Sequence, residues 1–324
     1  MNRLVGDGIE NPVNVEALAD AAAMFGVACL LRGARAGQDS GIYEISDMSR
    51  RGAPDISDLR PIVAVENAPG AESVYQIRKV HSGASIVVGN ERRGIRPDLL
   101  RAAAHTVCIP MPGRGVNTLN VATAAAVAMY YLLGARGRRS GRGAGRPGVL
   151  LAAPRDHVEA GSSLRSAAAF GWGSVAVQDR EKVWFGTPRS VRAEGRAAAR
   201  SHRNPLRVVP VDGPDPVYSR IVVCSPGADG PPVHRADLTG AGTLLVIADD
   251  GWEAPRGAER VRVDVPGTVG RYRFLSGIVL AEAARQLGTR GGGAVRRGLS
   301  YGSGFEVAAP QGGELVEIGE LMAY

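Results

Sequence analysis

The sequence repeats itself, and this limits the folds that the chain can adopt. The segment NVEALADAAAMFGVACLL (14–31) recurs as EAGSSLRSAAAFGWGSVAV (159–177), aligned on Phe25-Gly26 and Phe170-Gly171. Both copies are alanine-rich, stop at a glycine and pass into an apolar or β-branched run. This pattern is typical of a helix that is followed by a strand.

Two further segments recur in the same order. IVVGNE (86–91) matches LVIADD (245–250), and residues 107–134 match residues 261–288 without a gap. Three matches in one order indicate an internal duplication. Each copy alternates short apolar strands with alanine-rich helices, which predicts two α/β domains, each with a mostly parallel sheet.

The domain boundaries follow from composition. Residues 135–148 are rich in glycine and arginine without apolar periodicity, which predicts a flexible linker between a domain at 1–134 and a domain at 149–324. Residues from about 289 have no counterpart in the first copy. FEVAA and ELVEI in this extension predict a β hairpin or an edge strand.

Composition restricts the location and the partners of the chain. No run of 18 apolar residues and no apolar N-terminal signal core occur, and the three cysteines are scattered without metal-ligand spacing. We therefore expect a cytoplasmic protein without a membrane span. The net charge of +7 comes almost entirely from arginine. This favours a nucleic-acid partner, although a GC-rich coding bias would raise arginine, alanine and glycine together.

Three motifs in the first half have a common order and spacing. They are Asn14 with Phe25-Gly26, then Gly89-Asn90-Glu91, then Ile109-Pro110-Met111 followed by Thr118-Leu119-Asn120-Val121. In these motifs the first half resembles the SpoU-type (TrmH-like) methyltransferases of the SPOUT superfamily. The resemblance covers nearly all of residues 5–134.

The resemblance implies a trefoil-knot domain that binds S-adenosyl-L-methionine in a bent shape. A glycine lets a backbone approach a ligand closely, and prolines stiffen a loop and remove donors from it. The expected cofactor-binding residues are Asn67, Val88, Gly89, Asn90, Ile109, Pro110, Met111 and Leu119. Apart from the resemblance, CIPMPG reads as an ordinary strand exit and Glu91 as a surface carboxylate paired with a neighbouring arginine.

The two halves depart from the family in complementary ways. In the family an arginine follows the helix asparagine by six residues, where the first half has Asp20 and the second has Arg165. The second half has Glu159 in place of Asn14. It has also lost the cofactor motifs, because the matching positions hold Ala248-Asp249-Asp250, Asp264, Tyr272 and Phe274.

Members of the family are homodimers with the active site at the subunit interface, which the resemblance extends to this chain. We therefore predict a fused pseudo-dimer of two tandem SPOUT-like knots, with one working composite site and a degenerate second copy. Its expected catalytic residues are Glu91, Thr118, Asn120 and Arg165. The alternative is sequence drift that spared Arg165 as a helix-surface arginine.

The reaction that the resemblance implies is methyl transfer from S-adenosyl-L-methionine to a ribose 2′-hydroxyl of RNA, either ribosomal or transfer RNA. The first motif begins at about residue 10, so we expect no RNA-binding extension before it. RNA would then contact the linker arginines and those at 192–207, namely Arg136, Arg138, Arg139, Arg142, Arg146, Arg192, Arg196, Arg200, Arg203 and Arg207. Methylation of a nucleoside-like small molecule or a peptide is the alternative. A third is a non-catalytic RNA-binding protein. Further self-association of the pseudo-dimer stays open.

Overall fold

The computed structural model describes residues 1–32, 55–77, 80–113, 117–137, 141, 145–188, 206–267 and 271–288. Three sequence predictions lie outside these residues. They concern the linker arginines at 138, 139 and 142, the arginines between 189 and 205, and the hairpin or edge strand in the extension from 289.

The first half forms a six-stranded sheet in which every strand pairs parallel to its neighbours. The spatial order is β2-β1-β5-β3-β6-β4. The strands are β1 (Arg3–Asp7), β2 (Ala28–Arg32), β3 (Ile62–Val65), β4 (Glu72–Ser73), β5 (Ser85–Gly89) and β6 (His105–Cys108). The helices are α1 (Pro12–Met24), α2 (Pro97–Ala102) and α3 (Val121–Met129), with a 3-10 turn (Ile56–Leu59) and a π-helical turn (Tyr130–Gly134) that continues α3.

The second half forms another six-stranded parallel sheet, in the order β12-β10-β11-β7-β8-β9. Its strands are β7 (Gly148–Ala152), β8 (Ser174–Gln178), β9 (Arg207–Pro210), β10 (Arg220–Ser225), β11 (Thr243–Ile247) and β12 (Glu259–Arg262). Its helices are α4 (His157–Ala169) and α5 (Tyr272–Gln286). The predicted mixed α/β architecture with two parallel sheets is confirmed.

The repeat is visible in the topology. The first sheet's β2-β1-β5-β3-β6 corresponds to β8-β7-β11-β10-β12 of the second, and each sheet then adds its sixth strand at the opposite end. Helices α1 and α4 both have 13 residues. They end at Phe25 and Phe170, and the following Gly26 and Gly171 have φ of +61° and +89°. Only glycine adopts this left-handed conformation readily, which explains why both helices stop there.

The two halves pack through their helices. Helix α5 lies against both α3 and α4, and one hydrophobic core includes Val127, Leu164 and Ile278 from these three helices. The approach is close, because a Cβ at Gly277 would come within 2.5 Å of Thr123 Cγ2. A buried hydroxyl pair also joins α4 to α5, with Ser163 Oγ 2.7 Å from Ser276 Oγ.

A buried polar group also joins the two halves. Tyr131 donates a hydrogen bond of 2.6 Å to Glu282 Oε2 of α5, and the same carboxylate is paired with Arg285 at 2.6 Å. Glu282 is fully buried, so its charge needs these partners. The proton on the Tyr131 hydroxyl is held firmly, because burial and then the Glu282 carboxylate raise the pKa of Tyr131 well above its usual value.

Residues 145–148, at the end of the predicted linker, make contacts with the second half. Arg146 donates a hydrogen bond of 2.9 Å to Phe170 O, and its guanidinium carbon lies 4.6 Å from the centroid of the Trp172 ring. Gly145 O accepts from Gly240 N at 3.0 Å. The linker composition predicted mobility because it does not reveal that Trp172 provides a surface for Arg146.

Two of the three cysteines are buried, and Cys108 is half-buried. Cys29 and Cys224 are buried free thiols, and burial raises the pKa of each to about 12. Among the described residues, no helix is long and apolar enough to cross a membrane. The cytoplasmic location stays a prediction.

Candidate functional site

The candidate site lies at the carboxyl edge of the first sheet. Strands β5, β3 and β6 are adjacent and parallel, so Val65, Gly89 and Cys108 end at the same edge. The segments that follow them contain the predicted residues of the second and third motifs. In parallel α/β sheets this edge is the usual place for a ligand.

The Gly-Asn-Glu motif forms a tight turn after β5. Asn90 donates through Nδ2 to Gly8 O at 2.7 Å, and its Oδ1 accepts from the backbone of Arg92 at 2.9 Å and Arg93 at 3.1 Å. Its backbone N–H and C=O pair with Gly94. Each polar group of Asn90 thus has a partner within the protein, and its side chain shapes the turn.

Gly89 lies in close contact with the backbone that returns after the turn. A Cβ at Gly89 would lie 2.2 Å from Gly94 C and 2.3 Å from Ile95 N. The glycine is therefore required by the returning strand of its own turn, before any ligand is considered. Glu66 secures the same turn, because its Oε2 accepts from Ile95 N at 2.9 Å. No sequence motif indicates this role of Glu66, which precedes the exposed Asn67.

Three polar side chains that are distant in sequence are joined by hydrogen bonds beside the turn after β5. Asn14 Nδ2 donates to Glu91 Oε1, and Asn120 Nδ2 donates to Asn14 Oδ1 at 3.0 Å. Asn120 is also the N-cap of α3, because its Oδ1 accepts from Ala122 N at 3.0 Å. Asn14 is a motif residue to which the sequence assigned no role. It lies between two of the predicted catalytic residues and fixes their relative positions.

Arg165 reaches this region from the second half. It is half-buried on α4, in a run whose neighbours from Ala160 to Phe170 are buried. Its Nη2 donates to Thr118 Oγ1 at 2.9 Å, and its Nε donates to Thr118 O at 3.2 Å. Thr118 is two residues from Asn120, so the segment 118–120 is linked to both Arg165 and the Glu91–Asn14–Asn120 chain.

The loop after β6 completes the edge. Ile109 is buried, whereas Pro110, Met111 and Leu119 are half-buried, and Met111 and Leu119 pack against the main core. An adenosine group binds to apolar walls with main-chain donors and acceptors at their rim. These residues, together with buried Val88 and exposed Asn67, have the chemical character that S-adenosyl-L-methionine requires.

The corresponding region of the second half is filled by side chains. Tyr272, at the position of Thr118, is buried and donates to Ile247 O at 2.9 Å. Burial raises the pKa of Tyr272 well above its usual value. Phe274, at the position of Asn120, is fully buried. Asp20, at the position of Arg165, pairs with Arg271 at 3.0 Å and with Arg273 at 3.8 Å.

The first half of the chain matches a known protein family. Residues 1–130 match the model of the SpoU rRNA methylase family, a region that contains all three motifs. No curated protein matches the chain significantly.

Several solved structures are similar to part of the chain. An AdoMet-bound rRNA methyltransferase from Sinorhizobium meliloti is 21% identical over 40% of this chain and 54% of its own, with a TM-score of 0.33. A TrmH/SpoU tRNA modifying enzyme from A. aeolicus is 22% identical over 40% of this chain and 72% of its own, with a TM-score of 0.33. The SpoU methyltransferase AviRb from Streptomyces viridochromogenes, in complex with AdoMet, is 17% identical over 69% of this chain and 82% of its own, with a TM-score of 0.34. These scores are too low to transfer any detail to this chain.

Proposed function

We propose, from the match of residues 1–130 to the SpoU rRNA methylase family model, that the chain methylates a ribose 2′-hydroxyl of RNA at one composite site. The first half contributes the cofactor pocket and the second half contributes Arg165. The chain is then an intramolecular pseudo-dimer of two SPOUT-like domains.

The contact between Arg165 and Thr118 carries this proposal. It joins α4 of the second half to the start of α3 of the first half through two hydrogen bonds, at 2.9 and 3.2 Å. Asp20, at the position of Arg165, also contacts the other half, but its partners are Arg271 and Arg273, at the positions of Asn117 and Leu119. A helix-surface arginine spared by drift would have no reason to point at a motif residue.

The cofactor would be S-adenosyl-L-methionine, which supplies an electrophilic methyl group. The residues that would hold it are Asn67, Val88, Gly89, Ile109, Pro110, Met111 and Leu119, with Asn90 shaping the turn. Glu91 and Asn120, fixed through Asn14, would orient the substrate.

Arg165 would act on the nucleophile. A ribose hydroxyl is a poor nucleophile and needs to be oriented and to lose its proton. A guanidinium at the reacting oxygen stabilises the negative charge that develops there, and its fork can also grip a neighbouring phosphate. Thr118, held by Arg165, offers a hydroxyl that donates or accepts at the same place.

The charges around the turn after β5 are consistent with an RNA substrate. Arg92 and Arg93 follow Glu91 directly, Arg96 lies five residues after it, and all three are exposed. Arg93 is paired with Glu10 and Arg96 with Asp7. Arg146, which was expected to contact RNA, is exposed but lies over the Trp172 ring and donates to Phe170 O, so part of its guanidinium is already engaged within the protein.

The decisive variant is Arg165→Ala. Turnover should fall by roughly 100-fold or more, the scale for losing an orienting or proton-transfer group. Cofactor affinity should stay nearly unchanged, because the pocket is built from the first half. The assay is transfer of labelled methyl groups to RNA from cells that lack the gene, with cofactor affinity measured by calorimetry.

Asp20→Ala is the matched control, because Asp20 occupies the equivalent position on α1. It breaks partly exposed ion pairs, so it should cost at most about 1 kcal/mol of stability and leave turnover unchanged. Full activity of Arg165→Ala would overturn the composite site while leaving the family assignment intact.

Salt dependence separates the RNA substrate from the alternatives. If phosphate contacts dominate, affinity for the same RNA should fall by at least roughly tenfold between about 50 and about 200 mM salt, because bound counterions are released. Affinity that is flat in salt, or no RNA binding with intact cofactor binding, would favour a small-molecule or peptide substrate. RNA binding without cofactor binding would indicate the non-catalytic alternative.

A further inference from the structure

The loop 109–113 is held from two directions. On one side Asn117 Nδ2 donates to Met111 O at 3.1 Å and to Gly113 O at 2.8 Å. On the other side Gly113 N donates to Ala169 O at 3.0 Å, at the last turn of α4. A Cβ at Gly113 would lie 2.8 Å from both Ala168 O and Ala169 O, so the loop and the helix end are in close backbone contact.

These contacts connect the loop 109–113 to helix α4 by two routes. Helix α4 touches the loop through Ala169, and one turn earlier it carries Arg165, which binds Thr118. Thr118 follows Asn117 in sequence, and Asn117 donates its two hydrogen bonds to the loop. Movement of the loop is therefore tied to movement of the helix that positions Arg165.

We propose that Asn117 is a positioning residue, which together with Gly113 couples the loop of the cofactor pocket to the helix that carries Arg165. The proposal rests on the function proposed above. A single amide nitrogen carries two protons and can satisfy two carbonyl oxygens at once. An aspartate of the same shape would have no donor and would place a negative charge against both carbonyls.

The second half provides an internal comparison. Gly267 N donates to Met24 O at 2.7 Å, and a Cβ at Gly267 would lie 2.3 Å from Ala23 O. This is the same contact between a loop glycine and a helix end. However, the position of Asn117 is occupied by Arg271, which pairs with Asp20 instead. The amide is present only beside the pocket that we expect to be occupied.

The test uses two matched glycine variants and one isosteric change. Gly113→Ala and Gly267→Ala each press a methyl group against helix-end carbonyls, and both should lower the melting temperature. In Gly113→Ala the methyl group also meets Asn117 Oδ1, so this variant disturbs Asn117 as well as the helix end. Gly113→Ala and Asn117→Asp should weaken binding of S-adenosylhomocysteine by roughly tenfold in calorimetry, whereas Gly267→Ala should change it less than twofold. Hydrogen exchange of peptides covering 109–119, without cofactor, should accelerate in Asn117→Asp and stay unchanged in Gly267→Ala.

The outcomes distinguish this proposal from the function on which it rests. If the unmodified protein does not bind S-adenosylhomocysteine, both fall. If it binds, and Asn117→Asp binds equally well or shows unchanged exchange at 109–119, only the coupling is overturned, because Asn117 then serves stability alone. Asn117→Ala removes both donors without adding charge and gives the same comparison if Asn117→Asp does not fold.

Discussion

Glu159 of the second half is a partly buried carboxyl group at the position that holds an asparagine in the first half. It stands on α4 at the position that Asn14 has on α1, and its Oε2 accepts from Arg155 N at 3.0 Å. Burial raises the pKa of Glu159, and the negative charges of Asp156 and Asp249 raise it further, against the opposing effects of Arg155. The folded protein therefore holds this proton more tightly than the unfolded chain.

The pH dependence of Glu159→Gln follows from this sign. Since the folded pKa is above the unfolded value, the stability of the unmodified protein falls as the pH rises through the interval between them. Glutamine can accept the same hydrogen bond without ionising. Glu159→Gln should therefore raise the melting temperature at pH 8, and the gain should vanish near pH 4.

Glu259→Gln serves as a control of opposite sign. The hydrogen bond from Arg220 holds the pKa of Glu259 below its usual value, so this carboxylate stabilises the folded state above its unfolded pKa. The variant should lower the melting temperature at pH 8. Equal responses of the two variants at pH 8 would contradict the environment assigned to Glu159.

At the residue scale, the hydrogen bonds of the site could not be predicted from the sequence. Asn14 and Glu91 are 77 residues apart, and Asn14 and Asn120 are 106 apart, so their contacts depend on how the sheet brings β1, β5 and β6 together. The order and spacing of the motifs predicted that Glu91 and Asn120 belong to the catalytic site. It could not indicate that Asn90 is used within its own turn.

At the scale of elements, the repeat made the helices and central strands predictable. Apolar periodicity and the two Phe-Gly stops mark α1 and α4, and continuous apolar runs mark β5 and β11. The two-residue β4 has no such signal, because it depends on pairing with β6. The packing of residues 145–148 was missed for a related reason: glycine- and arginine-rich composition carries no information about the ring that receives Arg146.

At the scale of the whole molecule, the duplication predicted two similar sheets, but not their order or their contact. Both halves share the order of five strands, and α5 packs on α3 and α4. The repeat alone does not indicate which strands pair with each other or which helices pack together. The pairs Gly113–Ala169 and Gly267–Met24 show that the halves meet through equivalent contacts on the two sides. The sides differ in the residues beside those contacts, which are half-buried Thr118 and Asn120 in the first half and buried Tyr272 and Phe274 in the second.

This asymmetry predicts one cofactor per chain. In the second half, the Tyr272 ring is 1% exposed and its hydroxyl is bonded to Ile247 O, so a ligand entering beside β11 would have to displace a packed ring and leave a buried carbonyl without its partner. A lost hydrogen bond of this kind costs about 1–3 kcal/mol in addition to the packing. Calorimetry with S-adenosylhomocysteine should give a stoichiometry near one. Tyr272→Phe, which keeps the ring and loses the hydroxyl, should lower the melting temperature without changing that stoichiometry, whereas two equivalent sites in the unmodified protein would show that the second half still binds the cofactor.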